Sequence, residues 1–352
     1  LLRAALVRVA STEHLFSISI HHIVSDGWSL GLLFRELDAL YRAARERKPS
    51  PLAEPALQFA DFAVWQRAHL AGDRLASLVA YWREQLRGAA PMLELPSDHL
   101  RPAQSSSRGD RVVRTLPPEI SGRLREVARS FGATPFMVVH ALFALLASRL
   151  AGQDDVVVGS PSAGRDHENV EGVVGLFLNT LVLRLNLAGA PTFRELVRRA
   201  REVLLGAYQH QELPFEKLIE EVQPDRNLSH TPIFQVLLNY VAIEGLTPSL
   251  GDLEVEAVEN DHSESKFDLT LYANEVGESI ELSLVFALDL FERARMTEFL
   301  AQFEQLATQA LIEPERSIDS YSLLTPSAAL VLPDPTAPLP TDITGVLMTM
   351  NC

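Results

Sequence analysis

The segment His21-His22-Ile23-Val24-Ser25-Asp26-Gly27-Trp28-Ser29 converts a strand into a helix within nine residues. Before it, Leu15 to His22 alternates, with Phe16, Ile18, Ile20 and His22 on one face and Leu15, Ser17, Ser19 and His21 on the other. That is the two-residue period of a strand. After it, Leu30, Leu33, Phe34, Leu37, Leu40 and Tyr41 recur at helical spacing, and Ser29 stands where a helix cap is expected. A chain that changes period this abruptly has to pack helices against a sheet. A regular strand would point His22 inward and His21 away from it. An imidazole beside a carboxylate (Asp26) and a residue with no side chain (Gly27) suits acyl transfer better than core packing.

The same switching of period continues along the chain. Helices are expected at 57–70, ended by Gly72, and at 75–86, followed by an irregular Pro/Ser-rich stretch from Pro91 to Arg108. Strands are expected at 111–116, 155–159, 180–187, 233–241, 267–273 and 280–288, and helices at 119–131, 135–150, 193–208 and 294–311. Ile280, Leu282, Leu284, Phe286 and Leu288 give the clearest two-residue period. From Thr325 onward, Pro326, Pro333, Pro335, Pro338 and Pro340 mark a linker. The class is mixed α/β (α+β, mixed sheets).

Composition sets outer limits. With 352 residues, 47% of them hydrophobic, the chain can build one large core or two lobes of ordinary size. A net charge of -15 without a basic block argues against nucleic acid and anionic membranes as partners. The single cysteine, Cys352, permits no disulfide framework and fits the cytoplasm. The most apolar run, Phe136 to Leu150, contains His140 and Arg149 and reads as a buried helix rather than a membrane span. No signal peptide is visible. The first residue is Leu1, in mid-pattern, so a piece of a longer protein is expected.

At HHIVSDGWS the chain resembles the condensation domains of nonribosomal peptide synthetases, which carry an HHxxxDG signature within an acyltransferase superfamily. YWREQL at 81–86, GLFLNTLVLR at 175–184, HQELPFEKL at 210–218 and RNLSHTPIF at 226–234 are similar to the family's later motifs and stand in its order. The resemblance covers about residues 1–325. Three departures stand out. The family's opening motifs, upstream of the double histidine, are absent; Asn227 occupies a position where the family usually has Asp; and residues 343–352 do not resemble the start of an adenylation domain.

The resemblance implies a chloramphenicol-acetyltransferase-like fold of two lobes in a V, with a tunnel between them and the double histidine at its midpoint. Residues 1–75 would be the remainder of an incomplete N-terminal lobe ending near Gly72. Residues 76–325 would form the C-terminal lobe, and 326–352 a Pro-rich linker and tail. Upstream and downstream carrier domains would dock at opposite mouths, each bringing a thioester on a phosphopantetheine arm, with an adenylation domain adjacent. The domain itself would bind no cofactor. The implied reaction is amide formation between a donor peptidyl or aminoacyl thioester and an acceptor aminoacyl thioester. Trp28 directly after Asp-Gly suggests an L-donor and an L-acceptor. An epimerase, another acyltransferase of the superfamily, and a non-catalytic docking platform are the alternatives.

His22 aligns with the histidine on which this chemistry turns, whereas His21 is expected to be structural. Asp26 is expected in a buried ion pair or in backbone hydrogen bonds, and equally as a helix N-terminal carboxylate; no arginine partner is evident from spacing. Gly27 either makes room for the pantetheine arm or is a turn glycine of positive φ, and its N–H is a candidate oxyanion donor. Trp28 is expected to pack. Asn179 either lines the tunnel or is a strand-edge polar residue. The corner at His210 to Glu216 is expected to support the tunnel wall. Ser160 lacks the flanking glycines of a nucleophile elbow. Two adjacent strand histidines cannot readily chelate one ion, so no metal is expected.

Overall fold

The computed structural model describes residues 1–222, 229–241, 249–258 and 264–331. Arg226, Asn227, Pro333 and the prolines after it, and Cys352 lie outside the described residues. The chain opens with an antiparallel hairpin of β1 (Leu2–Arg8) and β2 (His14–Ile20), whose register pairs Leu2 with Ile20 and Arg8 with His14. The first strand is a period-two segment not identified above. A 3-10 turn over His22–Val24 follows, then α1 (Gly27–Arg45), α2 (Phe59–His69) and α3 (Gly72–Gln85).

The main sheet has six strands: β3 (Gly109–Leu116), β4 (Asp155–Ser162), β5 (Asn179–Asn186), β6 (Val236–Val241), β7 (Leu269–Val276) and β8 (Ser279–Ala287). Their order is β3-β8-β7-β6-β4-β5. The β4–β6 and β6–β7 pairs are parallel and the others antiparallel, so the sheet is mixed. The remaining helices are α4 (Pro118–Ser130), α5 (Pro135–Ala151), α6 (Glu168–Glu171), α7 (Phe193–Gln209), α8 (Phe215–Val222), α9 (Arg293–Ile312) and α10 (Pro326–Val331).

Strand alternation sorts side chains onto two faces. Val156 and Val158 of β4 join one hydrophobic cluster with α4, α5 and α9, together with the even-numbered apolar residues of β8. Val157 joins a second cluster with Leu181 and Leu183 of β5, and with Leu78, Val79 and Trp82 of α3. The sheet is thus covered on both sides. Helix α5 is the most enclosed element, with every residue from Met137 to Ser148 buried. Thr134 caps its start by accepting from the Met137 N–H at 3.3 Å, Pro135 fits the first turn, and Gly152 ends it at φ +65°. Among the described residues, no single helix is long and apolar enough to cross a membrane.

Several expectations need correction. Strand β2 stops at Ile20, so His22 does not belong to the strand and is not set on its inner face. The cap of α1 is Asp26, not Ser29, which lies inside the helix. Residues 326–331 form a helical turn held by Thr325, which accepts from Ala328 N–H through Oγ1 and from Ala329 N–H through its carbonyl, where a linker had been expected. The corner after His210 continues into α8, and the short α6 has no clear period in the sequence.

Candidate functional site

The two histidines leave β2 differently. His21 Nδ1 accepts from the Ile23 N–H at 3.1 Å, which caps the 3-10 turn. His22, the first residue of that turn, is exposed and its ring makes no hydrogen bond or ion pair among the described residues. Within four residues the chain then sinks into the protein: Ser25 is 5% exposed and Asp26 5%.

Asp26 is where the turn is anchored. Its Oδ1 accepts from the Ser29 N–H at 2.8 Å and the Ser29 hydroxyl at 2.7 Å, and Oδ2 accepts from the Phe177 N–H at 3.0 Å. The Arg165 guanidinium lies 3.2 Å from Oδ1 and 3.3 Å from Oδ2, with both side chains almost fully buried. Burial by itself would raise the Asp26 carboxyl. The Ser29 and Phe177 hydrogen bonds and the Arg165 charge outweigh it and hold the carboxyl below its ordinary value. The ion pair, the backbone hydrogen bonds and the helix-terminal position expected of Asp26 are therefore all present.

Arg165 also ties the loop 163–178 into shape. Its Nη1 donates to the carbonyls of Val170 and Val173 at 2.6 and 2.8 Å, and its guanidinium lies 4.1 Å from the centre of the Phe177 ring. Ser29 Oγ accepts from the Gly175 N–H at 3.1 Å. The Trp28 indole donates to the Glu171 carbonyl at 2.8 Å, although the side chain stays about half exposed. The start of α1 and loop 163–178 are thus joined by a ring of contacts more than 130 residues apart in sequence. Sequence reasoning missed Arg165. The available signal was that it is the lone lysine or arginine between Arg149 and Arg184, in a segment bounded by glycines.

Gly27 opens α1 with no positive φ, so the turn-glycine reading fails. A Cβ built there would meet nothing within 4 Å, which leaves open space over the helix start. Its N–H is one of the free donors of a helix N-terminus. Asn179 uses all its polar groups: Nδ2 donates to the carbonyls of Gln211 and Leu213, and Oδ1 accepts from the N–H groups of Thr180 and Phe215. It staples β5 to the 211–215 corner while one side of it borders a cavity. Tyr81 and His210 stack at 3.6 Å, so YWREQL and HQELPFEKL support one another. Among the described residues, no three His, Cys, Asp or Glu side chains are placed to hold a metal ion.

The family model described as the Condensation domain matches residues 1–332. The chain is 40% identical over 326 residues to one of the linear gramicidin synthase polypeptides of Brevibacillus parabrevis, covering 92% of this chain and 6% of that protein. It is 39% identical over 325 residues to malpinin synthetase of Mortierella alpina, covering 92% and 4%. The chain therefore spans a small fraction of the length of these relatives. Among solved structures, a complex of the X-domain and OxyB from teicoplanin biosynthesis aligns with a TM-score of 0.84 at 29% identity, covering 95% of this chain and 73% of that one. The first condensation domain of the CDA synthetase shares the fold, with a TM-score of 0.70 at 23% identity, covering 92% of this chain and 70% of that one. The mixed sheet with helices on both faces is accordingly the chloramphenicol-acetyltransferase-like arrangement expected from the motifs. With the ordered motif series, the anchored HHxxxDG turn and these matches in agreement, the chain belongs to the condensation-domain family of nonribosomal peptide synthetases.

Proposed function

We propose that the chain forms an amide bond between two thioesters carried on the phosphopantetheine arms of an upstream and a downstream carrier domain, within a cytoplasmic synthetase that also holds an adenylation domain. The acceptor amine attacks the donor carbonyl carbon. A C–N bond forms, the C–S bond breaks, the thiolate leaves, and the amine releases a proton. An L-donor and an L-acceptor are proposed. The observation that carries this reading is the contrast between an exposed His22 with no hydrogen-bond or ion-pair partner among the described residues and the buried Asp26–Arg165 bridge four residues later. A free imidazole on a fixed turn is what proton handling at a tethered substrate requires.

Magnitudes divide the work. An α-amine has a pKa of about 7.7–8.0, so roughly a tenth is already neutral at pH 7, and a base for that first proton contributes only about 1–1.5 kcal/mol. Holding two reactants in register is worth about 7–11 kcal/mol. In this reading His22 orients the amine and takes its proton once the tetrahedral centre has formed. His21 and Asp26 hold the turn, Trp28 braces it, and Gly27 keeps its surroundings clear. Asn179 shapes the wall rather than the chemistry. The division into a first lobe over 1–75, a second over 76–325 and a tail over 326–352 belongs to the same proposal.

The test is dipeptide formation with two loaded carriers. His22→Ala should lower the rate by at least about 10²-fold. Equal product from His22→Ala and the parent, both above background, would overturn the assignment. Incubating the loaded donor alone and reading its stereochemistry separates epimerisation from condensation. A docking platform is the second reading, favoured by a neighbour solved in complex with OxyB. It predicts that the parent makes no product while still binding a partner protein.

A further inference from the structure

A cavity of about 200 Å³ lies against loop 163–178, between α2 and the 211–216 corner. Neither His21 nor His22 lines it. It is smaller than the roughly 300–1,000 Å³ typical of small-molecule sites, so it accommodates a group the size of one side chain.

Its walls combine two kinds of chemistry. Phe62 and Trp65 of α2 give an aromatic side, where the Phe62 and Trp65 rings lie 5.7 Å apart and Trp65 stacks on His69 at 4.4 Å. Asp166, Glu212 and Glu216 give a carboxylate side, and among the described residues the lining holds two histidines, His69 and His167, but no lysine or arginine. Glu212 is paired with Arg74 at 2.6 Å and lies 3.5 Å from His69 Nε2. Asp166, an exposed residue, accepts a hydrogen bond from Gln211 Nε2 at 3.0 Å, and its charged neighbours are Glu212 and the His167 imidazole rather than a lysine or arginine. Partial burial, and then the neighbouring Glu212 charge, raise the Asp166 carboxyl above its ordinary value against the lowering effect of His167, so a cation bound at the cavity would favour the ionised form. Aromatic faces beside carboxylates in a cavity with no lining lysine or arginine among the described residues favour an organic cation.

We propose that this cavity is a receptor for a single alkylammonium or alkylguanidinium group, with its alkyl stem on Phe62 and Trp65 and its charge at Asp166. The inference stands apart from the amide-forming reading, since none of the residues assigned to that chemistry but Asn179 touches the cavity. The cavity does border Phe177, whose N–H is held by Asp26, so an occupant presses on the loop that anchors the HHxxxDG turn.

The experiment is an NMR titration of the full chain that follows the three indole N–H signals. Trp65 reports the cavity; the Trp82 indole, which donates to the His210 carbonyl, is the structural reference, and the Trp28 indole, which donates to Glu171 of loop 163–178, reports whether an occupant displaces that loop. The probes are n-butylammonium, n-butylguanidinium and, as the neutral control, 1-butanol. N-acetyl-lysine amide is the fourth probe, because the same cation could belong to a polypeptide. The expected result is a saturable shift of the Trp65 signal with the cations, at least about tenfold tighter than with 1-butanol. Tighter binding of the lysine amide than of n-butylammonium would assign the occupant to a protein side chain, and the reverse to a free amine. Asp166→Asn should reduce cation affinity about tenfold while leaving the Trp82 signal in place. No saturable shift with any cation, equal affinity for 1-butanol, or undiminished affinity in Asp166→Asn would overturn the proposal.

Discussion

Two buried groups, Asp26 and His140, contribute to the acid response of this protein. His140 sits in the middle of α5 with 0% exposure and neither ring nitrogen bonded among the described residues. Burial lowers its pKa from 6.5 to about 4. The unfolded chain therefore binds a proton that the folded chain refuses over that interval. The His140 contribution is full above about pH 6.5 and declines as pH falls to about 4, by about 3 kcal/mol at the end of the interval. His140→Leu should flatten that limb and raise the urea midpoint at pH 5, since it also removes two unsatisfied polar atoms. Asp26 has a depressed folded value, so its contribution is present above the unfolded value near 3.9 and is lost at lower pH, as the folded carboxyl takes up its proton. Asp26→Ala should cost about 3–5 kcal/mol in urea unfolding at pH 7, because Arg165 would be left buried without its counter-charge.

At the scale of elements, loop 163–178 is tightly constrained. Gly164 has φ +63°, and a Cβ built on it would lie 2.0 Å from the Phe177 carbonyl oxygen. That oxygen is backbone and cannot rotate away. Gly164→Ala should destabilise the protein by at least about 1–2 kcal/mol from the left-handed backbone conformation alone. It should also shift the Trp28 indole signal, because Trp28 bonds to Glu171 in the same loop. If that signal stays where it is, the loop and the start of α1 are not coupled as described. Strand and helix periods were legible wherever one face meets a core, as in β8 and α7. Ends were less so. The cap of α1 is a local bond from Ser29 N–H to Asp26, but what fixes the Asp26 carboxylate in place includes partners 139 and 151 residues away, which no local pattern records.

The whole molecule divides into a well-buried sheet and an exposed hairpin. Every residue of β1 is exposed, and Leu2, Leu6 and Val7 remain more than half open to solvent. A two-stranded hairpin without a covering layer has little independent stability. Amides of β1 and β2 should therefore exchange with solvent well before those of β7 and β8, whose alternate residues reach 0% exposure. Hydrogen exchange followed residue by residue checks this, and equal protection in the two regions would contradict it.

Local order alone determined the class of fold and the family. Hydrophobic period depends on neighbours a few residues apart, and the motif series stands in plain sequence order from HHIVSDGWS to RNLSHTPIF. It also marked Asp26 for an ion pair. The choice of Arg165 as the partner, the departure of His22 from its strand, the full engagement of Asn179 and the cavity under Phe177 came only with tertiary structure. Each depends on segments far apart in sequence being brought within a few ångströms, and the energy that selects such contacts is burial of charge and surface, which has no periodic signature along the chain.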